Sequence, residues 1–221
     1  MAALSKHAAV PLRLLLVRHG LSSFNVERRI QGRDDLSTLT ATGQDQARRL
    51  GQALADVPIN AAYSSPLKRA ASTAAGILDA RNDALRPNLD EGLLEIDLEP
   101  WSGLTADERS ERFPEQFATW KRNPEALELI RKDGCSYRPY EELMQQANSF
   151  LEELIRRHPV TGDETVLLVG HNAILRCLIV SLLGDPQQGF RRLRLDNASL
   201  SVFNLIPHDN GHQVQIECLN S

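Results

Sequence analysis

The sequence predicts an α/β protein, a three-layer α/β/α sandwich around a mostly parallel central sheet. Short apolar runs at 14–17, 59–63 and 165–169 each read as a strand, the first buried on both faces, with helical patterns between them. Two of the runs close in the same way, as Arg18-His19-Gly20 and as Gly170-His171. Open α/β sheets place ligands beyond the carboxyl ends of their strands, so these side chains fall at the mouth of the sheet. A chain of 221 residues suits this architecture. We read a single domain over 1–221 with a small helical insertion at roughly 98–140.

The elements follow in order. After the first strand comes a polar loop, 21–40. Thr40 precedes a helical pattern with Ala47, Leu50 and Leu54 on one face; Gly51 is an internal weak point and Pro58 a stop. The second strand, 59–63, runs into Ser64-Ser65-Pro66, an N-cap followed by a first-turn proline. That helix continues through Leu67, Ala70, Ala71, Ala74 and Leu78. In the long segment 90–157, Trp101, Phe113, Phe117 and Trp120 are interrupted by Pro100, Pro114 and Pro124. This predicts short helical pieces over the sheet edge, then an amphipathic helix at 141–157. Gly162-Asp163-Glu164 is a turn, 165–169 the third strand, and 172–183 an apolar helix ended by Gly184 and Pro186. Two β-rich runs, 199–206 and 213–219, form a hairpin around Pro207, Asn210 and Gly211.

The composition narrows the partners. A net charge of −4 offers no general attraction for nucleic acid or an anionic membrane, so local arginines must hold any bound anion. Cys135, Cys177 and Cys218 are far apart without metal-ligand spacing, which predicts reduced thiols, no metal site and a cytoplasmic location. No apolar run approaches the roughly 20 residues of a membrane helix, and 1–10 does not read as a signal peptide. No cofactor is expected. The C-terminal strands are candidates to pair across a homodimer.

The candidate site centres on His19. A lone histidine at a strand end is by default a hydrogen-bonded structural residue. Here Arg18 sits beside it, and a neighbouring cation disfavours the imidazolium. A neutral ring keeps a nitrogen free to attack phosphorus. Arg18 supplies a planar fork suited to two phosphate oxygens. Arg69 lies in the first turn after the second strand, at the same rim, where the helix N-terminus adds backbone donors. His171 repeats the strand–Gly–His pattern ahead of a helix, whose first amides add further donors.

Arg18-His19-Gly20 followed by Asn25, with Ser64-Ser65-Pro66-Leu67-Lys68-Arg69-Ala70, Leu94-Glu95-Ile96-Asp97 and Val169-Gly170-His171-Asn172 in that order, resembles the histidine phosphatases, the superfamily that includes cofactor-dependent phosphoglycerate mutases. The likeness runs from about Leu12 to Leu205. It implies a phosphohistidine at His19, a phosphate held by Arg18, Asn25, Arg69 and His171, and Glu95 as the proton donor to the leaving group. A carboxyl group beside a dianionic substrate holds its proton more tightly, as that role needs. Gln31, Gly32 and Asn172 match positions that touch substrate.

Blander readings cover the remainder. Glu91, Asp97 and Glu99 read as a solvated acidic loop, Lys68 as a solvent-facing residue, and His7, His158, His208 and His212 as solvated histidines. Arg191, Arg192 and Arg194 read as a basic surface face, with contact from one of them to a substrate carboxylate as the alternative. Asp34-Asp35 is not followed by the DxDxT pattern of magnesium-dependent aspartyl phosphatases.

The resemblance implies a metal-independent phosphomonoesterase acting on a small phosphorylated metabolite. Glu95-Ile96-Asp97-Leu98-Glu99-Pro100-Trp101 lacks the histidine and tyrosine that mutases carry after the glutamate, and the tail past Ile206 is short. Within the phosphatases, the stretch from Gln31-Gly32 to Leu39-Thr40, the Glu95 run and the insertion ending near Tyr140 resemble the branch acting on 2-carboxyarabinitol 1-phosphate and, without metal, on phosphoserine. Phosphoserine is the first expectation and a sugar-acid phosphate the next. The alternatives are a phosphoglycerate mutase and a non-catalytic phospho-ligand-binding protein.

Overall fold

The computed structural model describes residues 11–82, 84–185, 189–209 and 211–221. Eight strands and eight α-helices run in the order β1 (Leu12–Arg18), α1 (Ser23–Val26), α2 (Ala41–Ala53), β2 (Ala61–Ser64), α3 (Lys68–Ala80), β3 (Asn88–Leu89), α4 (Ala106–Arg112), α5 (Pro114–Arg122), β4 (Leu129–Ile130), β5 (Ser136–Tyr137), α6 (Pro139–Arg157), β6 (Thr165–Gly170), α7 (Asn172–Leu183), α8 (Gly189–Arg192), β7 (Leu200–His208) and β8 (Gly211–Cys218). Six strands form one sheet in the order β3-β2-β6-β1-β7-β8. The first four are parallel, and β7 and β8 complete the sheet antiparallel. The α/β class, the mostly parallel sheet and the C-terminal hairpin are as the sequence predicts.

The unbroken apolar run of β1 has a direct cause. Leu12, Leu14 and Leu16 join Val166, Leu168, Leu143 and Leu178 in one core cluster, on the side of α6 and α7. Leu15 and Val17 join Leu167, Val169, Ala70 and Ile77 in a second cluster, on the side of α2 and α3. Successive side chains point to opposite faces, so a strand covered on both sides must be apolar throughout. Leu98, Trp101, Leu127, Leu129 and Tyr137 of the insertion belong to the first cluster and extend that layer.

Several local expectations are corrected. Gly51 is a point of close approach, not a weak point: a Cβ there would lie 2.3 Å from the Ile77 carbonyl oxygen, so the glycine lets α2 press against α3. Helix α3 begins at Lys68, later than expected, and neither Ser64 nor Ser65 caps it. The Lys68 amide instead donates to Asp35 Oδ1 at 2.7 Å, a cap supplied from a distant loop. Ser65 makes a turn, accepting the Leu67 amide.

The insertion holds a two-stranded hairpin, β4 and β5, beside its helices. Asp97 and Glu99 are not a solvated loop. Asp97 pairs with Arg131, and Glu99 accepts the Lys132 amide. His158 is largely buried between Tyr63 and Glu164, hydrogen-bonded to both. His7, Pro186 and Asn210 lie outside the described residues. No helix among those described is long and apolar enough to cross a membrane.

Candidate active site

Strand register brings the site together. Arg18 pairs with Gly170 across β1 and β6, and Ser64 with Val169 across β2 and β6. The next residues, His19, His171 and Ser65, therefore emerge side by side at the carboxyl rim. The rings of His19 and His171 lie 5.2 Å apart between centroids.

His19 is 3% exposed. Its Nδ1 donates to the Gly20 carbonyl at 2.8 Å, which fixes the tautomer and leaves the Nε2 lone pair free. Burial, then the charges of Arg69 and Arg18, push its pKa down to about 3, against a small opposing effect of the Gly20 bond. His171 is fully buried, and burial with Arg69, His19 and Arg18 holds it well below the usual range. Its Nε2 lies 2.8 Å from Ser65 Oγ. That hydroxyl accepts the Leu67 amide and has its own O–H to give to Nε2; in that tautomer the ring carries its proton on Nδ1, as a donor.

Both rings are thus neutral in the folded protein and basic in the unfolded one. Between about pH 6.5 and about pH 3 the unfolded chain binds protons that the folded His19 refuses. His19's share of stability is complete above about 6.5 and is lost as pH falls through this window. The urea midpoint is expected to drop over that range, with a shallower slope in His19→Asn. Identical slopes for the two proteins would contradict a buried neutral ring.

The arginines are anchored through their outer nitrogens. Arg18 Nη1 donates to the Leu195 carbonyl at 2.6 Å. Arg69 is fully buried and donates to the Gly32 and Asp34 carbonyls, each at 2.8 Å. Burial lowers the pKa of each, opposed by the nearby charge of Glu95. Arg18 Nε, Arg69 Nε and His171 Nδ1 are buried without a partner among the described residues. Unsatisfied buried donors cost about 1–3 kcal/mol each, and an anion's oxygens would remove that cost.

Asn25 turns its Oδ1 toward the Ser22 hydroxyl at 2.8 Å and the Asn197 amide at 3.1 Å, leaving its own NH₂ as a donor. Gln31 Oε1 lies 3.0 Å from the same Ser22 hydroxyl. Gly32 stands behind Arg69, its carbonyl holding the guanidinium. Glu95 Oε1 accepts from the amides of Ile96, Ala173 and Ile174 at 2.9–3.2 Å, so it sits on the N-terminus of α7 beside His171. Glu95 thus takes the Ala173 and Ile174 amides at the start of α7, and Asp35 the Lys68 amide at the start of α3, which removes those amides from an anion. The guanidiniums, the imidazole and the Asn25 NH₂ are the side-chain donors that remain. Asn172, the first residue of α7, lines a cleft of about 400 Å³ with Arg18.

Some site residues escaped the sequence reading. Thr73 accepts the Gly20 amide and donates to the Arg69 carbonyl, tying the end of β1 to α3. Asn197 donates to the His19 carbonyl at 3.1 Å as well as to Asn25. Arg176 shares the cleft of Asn172. Its signal was legible: it is the single charge in the apolar run 172–183.

Residues 14–217 match the model of the histidine phosphatase superfamily, branch 1. A 2-carboxy-D-arabinitol-1-phosphatase of Triticum aestivum is 35% identical over 208 residues, 94% of this chain. This chain covers only 40% of that protein's length. Phosphoserine phosphatase 1 of Hydrogenobacter thermophilus is 34% identical over 194 residues, covering 88% of this chain and 87% of its own. Among solved structures, Bacillus stearothermophilus YhfR superposes with a TM-score of 0.79 at 31% identity, over 93% of this chain and 96% of its own.

Proposed function

Because this chain belongs to the histidine phosphatase superfamily, we propose that it is a phosphomonoesterase working through a phosphohistidine at His19. One observation supports this above the others. A neutral buried imidazole with a free Nε2 neighbours three buried groups without a partner among the described residues, Arg18 Nε, Arg69 Nε and His171 Nδ1. A phosphoryl group brings the acceptor oxygens those donors need, and the same contacts stabilise it as it transfers.

On this reading Nε2 of His19 attacks phosphorus and the ester P–O bond breaks. The departing oxygen takes a proton from Glu95, which the α7 amides hold beside His171. Glu95, now a carboxylate, removes a proton from water, and the water oxygen attacks phosphorus. The P–N bond breaks and inorganic phosphate leaves. Arg18, Arg69, His171 and the NH₂ of Asn25 hold the phosphoryl oxygens throughout, and Gln31, Gly32 and Asn172 border the remainder of the substrate.

The substrate class we propose is a small phosphorylated carboxylate, phosphoserine first and a sugar-acid phosphate second. The names of the wheat and Hydrogenobacter relatives denote such compounds. Positive charge at the site comes from arginines, which supports action without a metal ion. Free cysteines at 135, 177 and 218 support a reducing, cytoplasmic setting. The outer edge of β8 supports pairing with a second copy.

The test is phosphate release from a panel of phosphomonoesters in EDTA, with phosphoglycerate isomerisation measured alongside. Hydrolysis undiminished by EDTA is expected. Release that requires added Mg²⁺, or isomerisation faster than hydrolysis, would overturn the proposal.

A further inference from the structure

The cleft of about 400 Å³ beside the phosphate clamp is lined by Arg18, Asn172, Arg176, Arg191, Arg194 and Asp196, with two leucines. Four cations meet one acid there, on a chain whose net charge is −4. The way these arginines are held is informative. Arg18 donates to the Leu195 carbonyl, Arg176 to the Phe190 carbonyl and Arg191 to the Arg122 carbonyl. Main-chain oxygens orient these guanidiniums without neutralising them.

Several arginines outside the cleft pair with carboxylates instead. Arg13 pairs with Glu217, Arg131 with Asp97 and Glu142, and Arg156 with Glu153. Among the described residues that line the cleft, Arg194 is the one in an ion pair, with Asp196, which also accepts from Asn220. Arg176 Nε is buried without a partner among the described residues, and burial lowers that group's pKa. The four guanidiniums outnumber the carboxylates that act on them, Asp196 and Glu95, so the cleft keeps a positive excess that favours an anion, and Arg18 joins it to the phosphate clamp.

We infer that the cleft formed by Arg176, Arg191 and Arg194 is a second anion subsite, which selects phosphomonoesters whose alcohol portion carries its own carboxylate or phosphate. This rests on the proposed phosphatase reading and adds to it the residues that set specificity. Arg18 spans the two sites, so the second anion lies on the side of α7 and α8 while the ester phosphorus faces His19. A planar carboxylate suits a guanidinium fork, and a second phosphate suits the same charges. Arg176 and Arg191 also line the neighbouring cleft that contains Arg109 and Lys121, which extends the positive surface outward.

Matched pairs of substrates test it. Phosphoethanolamine is phosphoserine without its carboxylate, and fructose 6-phosphate is fructose 1,6-bisphosphate without its second phosphate. The ratio of kcat/KM within each pair is measured for the wild type, for the exposed double variant Arg191→Ala/Arg194→Ala, and for Arg176→Lys. The wild type is expected to favour the doubly anionic member of at least one pair by about tenfold or more. Which pair shows the preference tells carboxylate from phosphate. In the variants the ratio is expected to fall toward one, chiefly through KM.

A wild-type ratio near one in both pairs, or a ratio unchanged in the variants, overturns the subsite. Hydrolysis of p-nitrophenyl phosphate separates the two readings, since its alcohol carries no anion. Its turnover alongside flat ratios leaves the phosphatase reading standing and removes only the subsite. If no ester is hydrolysed, calorimetric Kd values for the same pairs decide the subsite without turnover.

Discussion

A His19→Ala variant is expected to lose turnover by about 10⁴-fold or more while still binding inorganic phosphate. The structure separates these two effects. His19 alone presents a nitrogen lone pair at the rim, through the Nδ1 bond to Gly20 that frees Nε2. The groups proposed to hold phosphate sit on other elements and keep their own anchors: Arg69 on the Gly32 and Asp34 carbonyls, Arg18 on Leu195, His171 on Ser65. Rapid quenching of the wild type with labelled substrate should trap an adduct that is labile in acid and stable in base. The variant should show none. Turnover within tenfold of the wild type would remove His19 as nucleophile, and loss of phosphate binding would mean that the anion site does not form without the ring.

Glu95→Gln is the second large effect, expected at roughly 10²–10⁴-fold on esters of ordinary alcohols. The substitution isolates the proton. A glutamine oxygen can still accept from the Ala173 and Ile174 amides, so the start of α7 keeps its cap. The size of the loss should depend on the leaving group. p-Nitrophenolate departs without a proton, so phosphorylation of His19 by that ester should survive in the variant. Hydrolysis of the phosphoenzyme still needs a base, so a burst of p-nitrophenolate followed by a slow steady state is expected. Equal losses on both ester classes with no burst would assign Glu95 a structural part only.

The residues that strands and helix starts deliver were legible because their signals are local. An apolar run closed by Arg18-His19-Gly20, another by Gly170-His171, and an arginine just past a strand each announce a position at the sheet mouth. The structure brings Arg18, His19, Arg69, Glu95 and His171 within reach of one another's charges or hydrogen bonds. The supports were not legible, because their partners are remote in sequence. Asn197 binds His19 and Asn25, Thr73 binds Gly20, and Asp35 caps a helix whose own serines were expected to do so. Strands of two residues, as in β3, β4 and β5, are too short to show alternation, so the hairpin inside the insertion had no period to read. The cleft arginines are the intermediate case. Arg191 and Arg194 stood out as a cluster, but only packing shows that Arg176 joins them, anchored on a main-chain oxygen.

The position of β1 has a consequence for biosynthesis. Its hydrogen-bonding neighbours are β6, beginning at Thr165, and β7, beginning at Leu200. On the ribosome the strand that ends at His19 emerges before both of its flanks and waits for them. Pairings that remote are slow to form, and an apolar strand open on two edges is a target for chaperones in the interval. The desolvation that keeps His19 neutral also arrives only when those flanks close over it. A nascent chain therefore displays an ordinary, protonatable histidine, and the reactivity proposed for it toward phosphate esters would arise only at the last stage of folding.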